Sequence, residues 1–424
     1  MDLNRKTALE TLLNIEKKGA YSNLALNENI RKYEPENEAF VRELVYGVLK
    51  NKYLLDYYLK SYVKKGFNRL KAEDLSLLRM GAYQALFMDS VPDYAALNET
   101  IRLAHKYARG REGFINAVLR SLVSNKESLG DIPREDFLNY LSVKYSIEEE
   151  VCSVILKSLG EEGTEAYLRA CNETPELSIR VNVLKNTREE LLDELRGCGF
   201  FAKLSDKSER ALIVSGSGIL KTDAFREGRF SVQDEASIMV SDLLGPEEGM
   251  KVLDLCAAPG GKTLANAELM RNTGSILACD IYEHKLKLIE EAQKRNGIDI
   301  IKTEMSDGTV YREDLKDSMD RVLCDVPCSG LGVIRRKPEI KYRKDLDLKV
   351  LIDIQSKILL NASRYLKKGG VMVYSTCTVN RDENQGVTEG FLKDNPNYRK
   401  IDEYCLSPLD GTDGFYMCKI IREA

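Results

Sequence analysis

Two cysteines stand where a reacting thiol would be useful. Cys328 follows Pro327 in the run Asp325-Val-Pro-Cys-Ser-Gly-Leu-Gly332, and Cys377 lies in Ser375-Thr-Cys-Thr378, just past the apolar stretch Val371 to Ser375. Each falls at the end of an expected strand, a position from which a thiolate can act as nucleophile. A third run, Lys251-Val-Leu-Asp-Leu-Cys-Ala-Ala-Pro-Gly-Gly-Lys-Thr263, reads as a strand entering a small-residue loop that opens a helix. Doubly wound sheets place ligands at that junction. Gly260 and Gly261 let backbone approach a ligand closely. The spacing is neither G-x-G-x-x-G nor G-x-x-x-x-G-K, which argues against NAD and ATP. Asp280 lies 26 residues after Asp254, at the end of the second expected strand. A carboxylate there accepts hydrogen bonds from both hydroxyls of a ribose, so the position points to an adenosine-containing cofactor without choosing one.

The remaining cysteines supply a background. Cys152, Cys171, Cys198, Cys279, Cys324, Cys405 and Cys418 sit in apolar or helical contexts and are expected to be buried as small hydrophobes, and Cys256 lies inside the glycine loop. A zinc site is not expected. Cys324 and Cys328 have no second pair at ligand spacing, and His105 and His284 are remote in sequence and read as surface or packing residues. No metal is therefore assigned.

The elements that must position these groups fall into three regions. With 424 residues, at roughly 100 to 200 per domain, the chain has room for several. Residues 1–145 read as an all-helical domain, with Leu9, Leu12 and Leu13, then Leu75, Leu78, Ala82 and Ala85, at helical spacing. Residues 146–230 read as a helical linker plus a small α+β subdomain of RNA-recognition-like size and order, in which no aromatic pair stands ready to stack bases. From 231 to 424, apolar strands alternate with helices, the order of an α/β parallel sheet, and Gly414 to Ile421 reads as a last strand at its edge.

Composition narrows the class further. No run approaches the ~18 apolar residues of a membrane span, and the first residues lack a secretory apolar core. Ten cysteines are too few for a disulfide scaffold. A reducing, cytoplasmic location with no membrane association is the expectation. The net charge of −4 excludes a generally basic nucleic-acid binder. Locally the balance reverses. From Arg102 to Lys126, six basic residues face one acidic residue, and Arg335 to Lys344 repeats that count with Tyr342 among them, so each window carries +5. Such patches suit selective phosphate contacts.

Together, the runs Asp254 to Lys262, Asp325 to Gly332 and Ser375 to Thr378 resemble the RNA cytosine-C5 methyltransferases that use S-adenosyl-L-methionine, with three motifs in family order. The N-terminal helices, including Phe40-Val-Arg-Glu-Leu-Val-Tyr-Gly47, resemble the NusB-like domain of one branch, the RsmB (Sun, or Fmu) 16S ribosomal RNA methyltransferases. The resemblance implies a NusB-like domain, a small α+β insert and a Rossmann-like methyltransferase domain. It places Cys256, Ala257, Ala258, Pro259, Gly260, Gly261 and Lys262 around the methionine part of the cofactor, Asp280 at the ribose, Asp307 beside the adenine, and Asp325 between cofactor and base.

Carbon 5 of cytosine is a poor nucleophile, so its methylation calls for a thiolate that adds to carbon 6 and makes carbon 5 enamine-like. The resemblance assigns attack to Cys377 and release of the methylated RNA to Cys328, with Asp325 and Lys262 orienting the base. It implies 16S ribosomal RNA as partner, the family's cytosine 967 as target, and a monomer. Arg335, Arg336 and Tyr342, just after the Pro-Cys motif, are expected to touch RNA, as are Lys64, Lys65, Arg69 and the 102–126 window. Val326, Thr378 and Tyr342 depart from the commoner alanine, serine and tryptophan, and none removes a reacting group. Two rival readings remain: a transfer RNA cytosine-C5 methyltransferase, and a non-catalytic NusB-like RNA-binding factor.

Overall fold

A computed structural model describes residues 2–63 and 66–423. Lys64 and Lys65 lie outside the described residues. The chain divides into two compact units, Met1–Asn172 with Arg336–Asp345, and Glu173–Arg335 with Leu346–Ala424.

Helices Leu3–Lys18, Ser22–Tyr33, Glu38–Lys50, Lys52–Lys60, Ala72–Phe87, Asp93–Tyr107, Glu112–Ser124, Phe137–Tyr145 and Glu149–Asn172 build the first unit. Local signals set their ends. The Asp2 carboxylate accepts from the Arg5 backbone N–H at the start of the first helix, and Gly19 closes it in the left-handed conformation. The apolar stripes of Leu9, Leu44, Leu55, Leu77 and Leu119 meet in one core, each contributing about 1.5–3 kcal/mol. Gly47 is required where two of these helices pack closely: a Cβ there would lie 1.9 Å from the Tyr83 ring. The helical unit continues to Asn172, past the boundary expected at 145. Ser146 only turns the chain, after which Val151, Cys152 and Ile155 are buried on the following helix.

Arg336–Asp345 belongs to this unit as well. Lys341 is fully buried, and its ammonium donates to the Lys50 carbonyl at 3.3 Å, the Tyr145 carbonyl at 2.7 Å and the Asn172 side-chain oxygen. These residues end three helices, and helix C-termini favour a cation. The Tyr342 hydroxyl donates to the Leu49 carbonyl, and its ring meets Tyr53 edge-on at 5.2 Å.

In the second unit, strands β1 (Leu177–Val181), β2 (Phe201–Leu204), β3 (Ala211–Ser215) and β4 (Phe230–Val232) form an antiparallel sheet in the order β2-β3-β1-β4. Helices Arg188–Gly197 and Asp223–Arg226 follow β1 and β3. Alternation along β1 sends Ile179 and Val181 into a core with Leu191 and Leu195. Ser178 and Arg180 point the other way and are also buried. The face that an RNA-recognition module would leave open is thus closed, with Arg180 bonded to Glu268 at 2.8 and 2.9 Å.

The larger sheet holds β5 (Lys251–Asp254), β6 (Ser275–Asp280), β7 (Ile301–Met305), β8 (Met319–Asp325), β9 (Leu366–Thr376), β10 (Tyr398–Leu406) and β11 (Phe415–Arg422), in the order β10-β11-β9-β8-β5-β6-β7. Five strands, β5 to β9, are parallel, and β11 runs antiparallel to both β9 and β10. Val252, Leu323 and Val373 enter one core, while Leu253, Val322 and Tyr374 enter the other. The last strand is therefore interior. The edge belongs to β10, which reads in sequence as a polar segment because Arg399, Lys400 and Asp402 are exposed. From β5 the chain builds outward through β6 and β7, then crosses to β8 on the other side of β5. That reversal opens a crevice at the carboxyl ends of the strands.

Candidate active site

The crevice collects the residues singled out by sequence. After β5, Ala258 and Pro259 are joined by a cis peptide, and Gly260 turns with φ 101° into helix Gly261–Leu269. A side chain at Gly260 would be strained by that φ and would press on Ile289, with Cβ at 3.0 Å. The loop thus offers backbone, and a helix N-terminus, to whatever lies above it. At the end of β6, Asp280 accepts from the Ala258 N–H at 3.3 Å and the Tyr282 N–H at 3.0 Å, which fixes the carboxylate while each oxygen keeps a lone pair for a hydroxyl donor. Asp307, beyond β7, accepts from the Thr309 N–H and hydroxyl at 2.8 and 2.7 Å. These donors and acceptors fit the ribose and methionine parts of S-adenosylmethionine.

Asp254, at the end of β5, is buried and accepts from the Thr263 hydroxyl at 2.7 Å. Burial pushes its carboxyl up to about 7, against the lowering effect of that hydrogen bond. Its second oxygen is buried with no protein donor.

On the other side of β5, the Lys262 ammonium meets Asp325 at 2.8 Å and lies 4.9 Å from the centre of the Phe415 ring. Burial works to lower the lysine, but the Asp325 carboxylate, with smaller contributions from Cys377 and Asp254, holds it above its ordinary value. The other Asp325 oxygen accepts from the Ser375 hydroxyl at 2.8 Å. The ion pair is thus held between the ends of β8 and β9.

Cys328 and Cys377 come together with their sulfurs 3.4 Å apart, as free thiols. The hydrogen bond to Cys377, then burial, then the charges of Cys377 and Glu383 hold the Cys328 thiol well above its usual value. At 3.4 Å a proton can be shared between the two sulfurs, with either one as donor. Close backbone packing fixes the pair. Gly332 donates to the Cys377 carbonyl at 2.9 Å and accepts from the Gly414 N–H at 2.8 Å. A Cβ on Gly332 would lie 1.9 Å from the Gly414 oxygen. This explains the second glycine of the Pro-Cys motif.

Several groups outside the motifs brace the cysteine loops. Glu383 is fully buried and accepts from Ser329, Gln355 and Asn380, Gln355 also donates to the Pro327 carbonyl at 2.9 Å, and Asn384 donates to the Thr378 carbonyl at 3.0 Å. No local motif signals them.

The expected RNA contacts separate. Arg335 is 6% exposed, donates to the Gly411 and Thr412 carbonyls at 3.3 and 2.8 Å, and lies 3.6 Å from Asp413. Its charge is spent inside the fold, which does not suit a phosphate contact. Tyr342, with its hydroxyl and ring engaged by Leu49 and Tyr53, is likewise not presented for stacking. Arg336 is half-buried, and Lys337 and Arg343 are exposed. Arg69, Arg102, Lys106, Arg109, Arg111 and Arg120 are exposed on the helical unit.

The cysteine background needs one correction, since Cys198 and Cys405 are exposed, the first at a helix end and the second on the edge strand β10. Cys256 is held as an inert thiol, well above its ordinary value, chiefly by burial. His105 and His284 are exposed, and among the described residues no His, Cys, Asp and Glu cluster could hold a metal ion. No helix among them is long and apolar enough to cross a membrane.

Comparison with known proteins identifies the family. Residues 241–419 match the model of the 16S rRNA methyltransferase RsmB/F family, residues 2–124 the NusB family, and residues 153–219 the RsmF/B-like ferredoxin-like domain. The probable ribosomal RNA small subunit methyltransferase B of Bacillus subtilis is 38% identical, with 99% of this chain and 98% of that protein aligned. Its counterpart in Synechocystis is 30% identical over 96% of this chain and 93% of that protein. The crystal structure of PH0851 superposes with a TM-score of 0.83 at 27% identity, covering 98% of both chains. A methyltransferase homologue from Pyrococcus horikoshii covers 68% of this chain and all of its own length, with a TM-score of 0.60 at 25% identity. With its helical, ferredoxin-like and methyltransferase regions all matched in order, the chain belongs to the ribosomal RNA small subunit methyltransferase B (RsmB) family of methyltransferases.

Proposed function

We propose that this protein transfers a methyl group from S-adenosylmethionine to carbon 5 of one cytosine in 16S ribosomal RNA, cytosine 967 in the family's assignment. The observation that carries the reading is the pair of thiols 3.4 Å apart at the ends of β8 and β9, beside the Lys262–Asp325 ion pair.

When bound, S-adenosylmethionine supplies an electrophilic methyl on a sulfonium centre. The loop Cys256 to Lys262 would hold its methionine part, the Asp280 carboxylate, fixed by Ala258, would accept from its ribose hydroxyls, and Asp307, fixed by Thr309, would face its adenine. The Cys377 thiolate adds to carbon 6 of an unpaired or flipped cytosine, forming the S–C6 bond and moving an electron pair toward carbon 5. Asp325 and Lys262 hydrogen-bond the polar edge of the base and stabilise the charge that enters the ring. After carbon 5 is methylated, its proton leaves to a base, the S–C6 bond breaks and the Cys377 thiolate is restored. Cys328 assists that release by hydrogen-bonding the departing Cys377 sulfur as it regains negative charge. Exposed arginines and lysines of the 102–126 helices contact RNA phosphates.

Labelled S-adenosylmethionine with unmodified 16S RNA, followed by bisulfite mapping, tests this. One 5-methylcytosine in 16S RNA is the expected result. Transfer to transfer RNA alone would overturn the substrate, and transfer to neither, with RNA still bound, would overturn the chemistry.

A further inference from the structure

The two thiols are chemically alike and in contact, yet the reaction needs one to attack and the other to wait. Glu383 stands where the loops that carry them meet. This side chain is fully buried in the turn after Cys377, and its carboxylate accepts from four neutral donors: the Ser329 N–H at 2.8 Å, the Ser329 hydroxyl at 2.5 Å, and the Gln355 and Asn380 amides at 3.0 Å each. Its backbone carbonyl accepts from the Tyr374 hydroxyl at 2.6 Å. The Ser329 hydroxyl also meets the Thr378 hydroxyl at 2.7 Å. Ser329 adjoins Cys328 and Thr378 adjoins Cys377, so a single carboxylate sits at the joint between the two cysteine loops.

We propose that Glu383 is a positioning residue for methyl transfer: by tying Ser329 to the turn that follows Cys377, it makes the two thiols unequal, with Cys377 the attacker and Cys328 its partner. The inference rests on the assignment of Cys377 as the attacking thiol. Among the ionisable groups that act on the pair are Tyr374 on β9, Lys262 at the start of helix Gly261–Leu269, and Glu383 itself, with Arg381 and Asp382 on the same turn as Glu383. Lys262 interacts with Cys377, and Glu383 with Cys328. A cation favours the thiolate and a carboxylate favours the thiol, so both charges push in the same direction. Replacing the carboxylate by an amide removes the charge and sets an NH2 group against donors.

The test is Glu383→Gln, with Glu383→Asp as the variant that keeps the charge. Iodoacetamide labelling of each cysteine in the RNA-free protein is followed by peptide mass mapping from neutral to mildly alkaline pH. In the wild type and in Glu383→Asp, Cys377 is expected to react roughly tenfold faster than Cys328, the equivalent of about one pKa unit. In Glu383→Gln the ratio falls toward one, Cys328 labels at lower pH, and kcat falls while KM for S-adenosylmethionine holds. A wild-type ratio in a folded Glu383→Gln protein overturns the proposal. Should that variant fail to fold, Ser329→Ala removes the hydroxyl at the other end of the same tie, and an unchanged ratio there overturns it equally. Retained turnover in Cys377→Ala would remove the underlying assignment instead, a result the labelling ratio does not mimic.

Discussion

The two flanks of the crevice are built differently. On the cysteine flank, Cys328 and Cys377 are held by partners far away in sequence: Glu383 lies 54 residues from Ser329, and Gln355 lies 28 residues from both Pro327 and Glu383. Nearly every polar group in that network is buried. On the cofactor flank, Asp307 is held by Thr309 two residues on, and Asp280 by Tyr282 two residues on and by Ala258 in the loop after β5, while Ile281, Tyr282 and Met305 stand exposed. In the proposed reaction the reacting groups are preorganised by long-range burial, whereas the cofactor would be met by loops braced largely by near neighbours and open toward the surface. Preorganisation of this kind acts mainly on the chemical step, and surface braces act mainly on binding. Substitutions should therefore separate into losses of turnover and losses of affinity.

The sharpest division is expected at Cys377. Cys377→Ala should lower kcat by about 10⁴-fold or more, with binding of S-adenosylmethionine within twofold by calorimetry. Equal losses in both would erase the distinction between the flanks. Next comes Gly332→Ala, which forces a methyl into backbone 1.9 Å away. We expect a cost of about 3 kcal/mol or more, read as a lower urea midpoint together with lost turnover. A variant of normal stability would mean the cysteine flank is softer than described. On the cofactor flank, Asp280→Ala should raise KM for S-adenosylmethionine by about 10- to 100-fold, the loss of hydrogen bonds to a charged acceptor, while kcat at saturation stays within a few-fold. A pure kcat defect would reverse the assignment of that flank.

The smallest effect concerns Asp254, between the flanks. Its carboxyl, raised to about 7 by burial, binds its proton more tightly folded than unfolded. It therefore costs stability as pH rises from about 4 to about 7, at up to about 1.4 kcal/mol per unit, and the cost is full above that window. Asp254→Asn should remove this slope. Between pH 6 and pH 8 the variant is expected to gain about 1–2 kcal/mol on the wild type in urea titrations. Parallel curves for the two proteins would show that the carboxyl titrates normally.

The same contrast explains what the sequence made legible. The glycine loop, Asp280 and both cysteines could be placed at one crevice because each stands in a contiguous run at the end of an apolar strand. The parallel strands announced themselves by buried apolar residues, whereas β10 did not, because an edge strand with solvated faces carries Arg399, Lys400 and Asp402. Glu383 and Gln355 were hidden since nothing local marks a polar residue that will be buried against a loop formed elsewhere. Charge counting failed for the opposite reason. The windows 102–126 and 335–344 have equal net charge, yet the first is largely exposed, while Arg335 and Lys341 are enclosed by backbone carbonyls. A count of lysines and arginines cannot distinguish a cation meant for phosphate from one that closes the end of a helix.

The central claim is that Cys377 bonds to the base and Cys328 permits its release. It is tested most directly by incubating Cys328→Ala with S-adenosylmethionine and unmodified 16S RNA, then digesting and mapping any protein–RNA adduct by mass spectrometry. The account predicts a stable adduct on the peptide containing Cys377, carrying a methylated cytosine. An adduct on any other residue, or full turnover with no adduct, would contradict it.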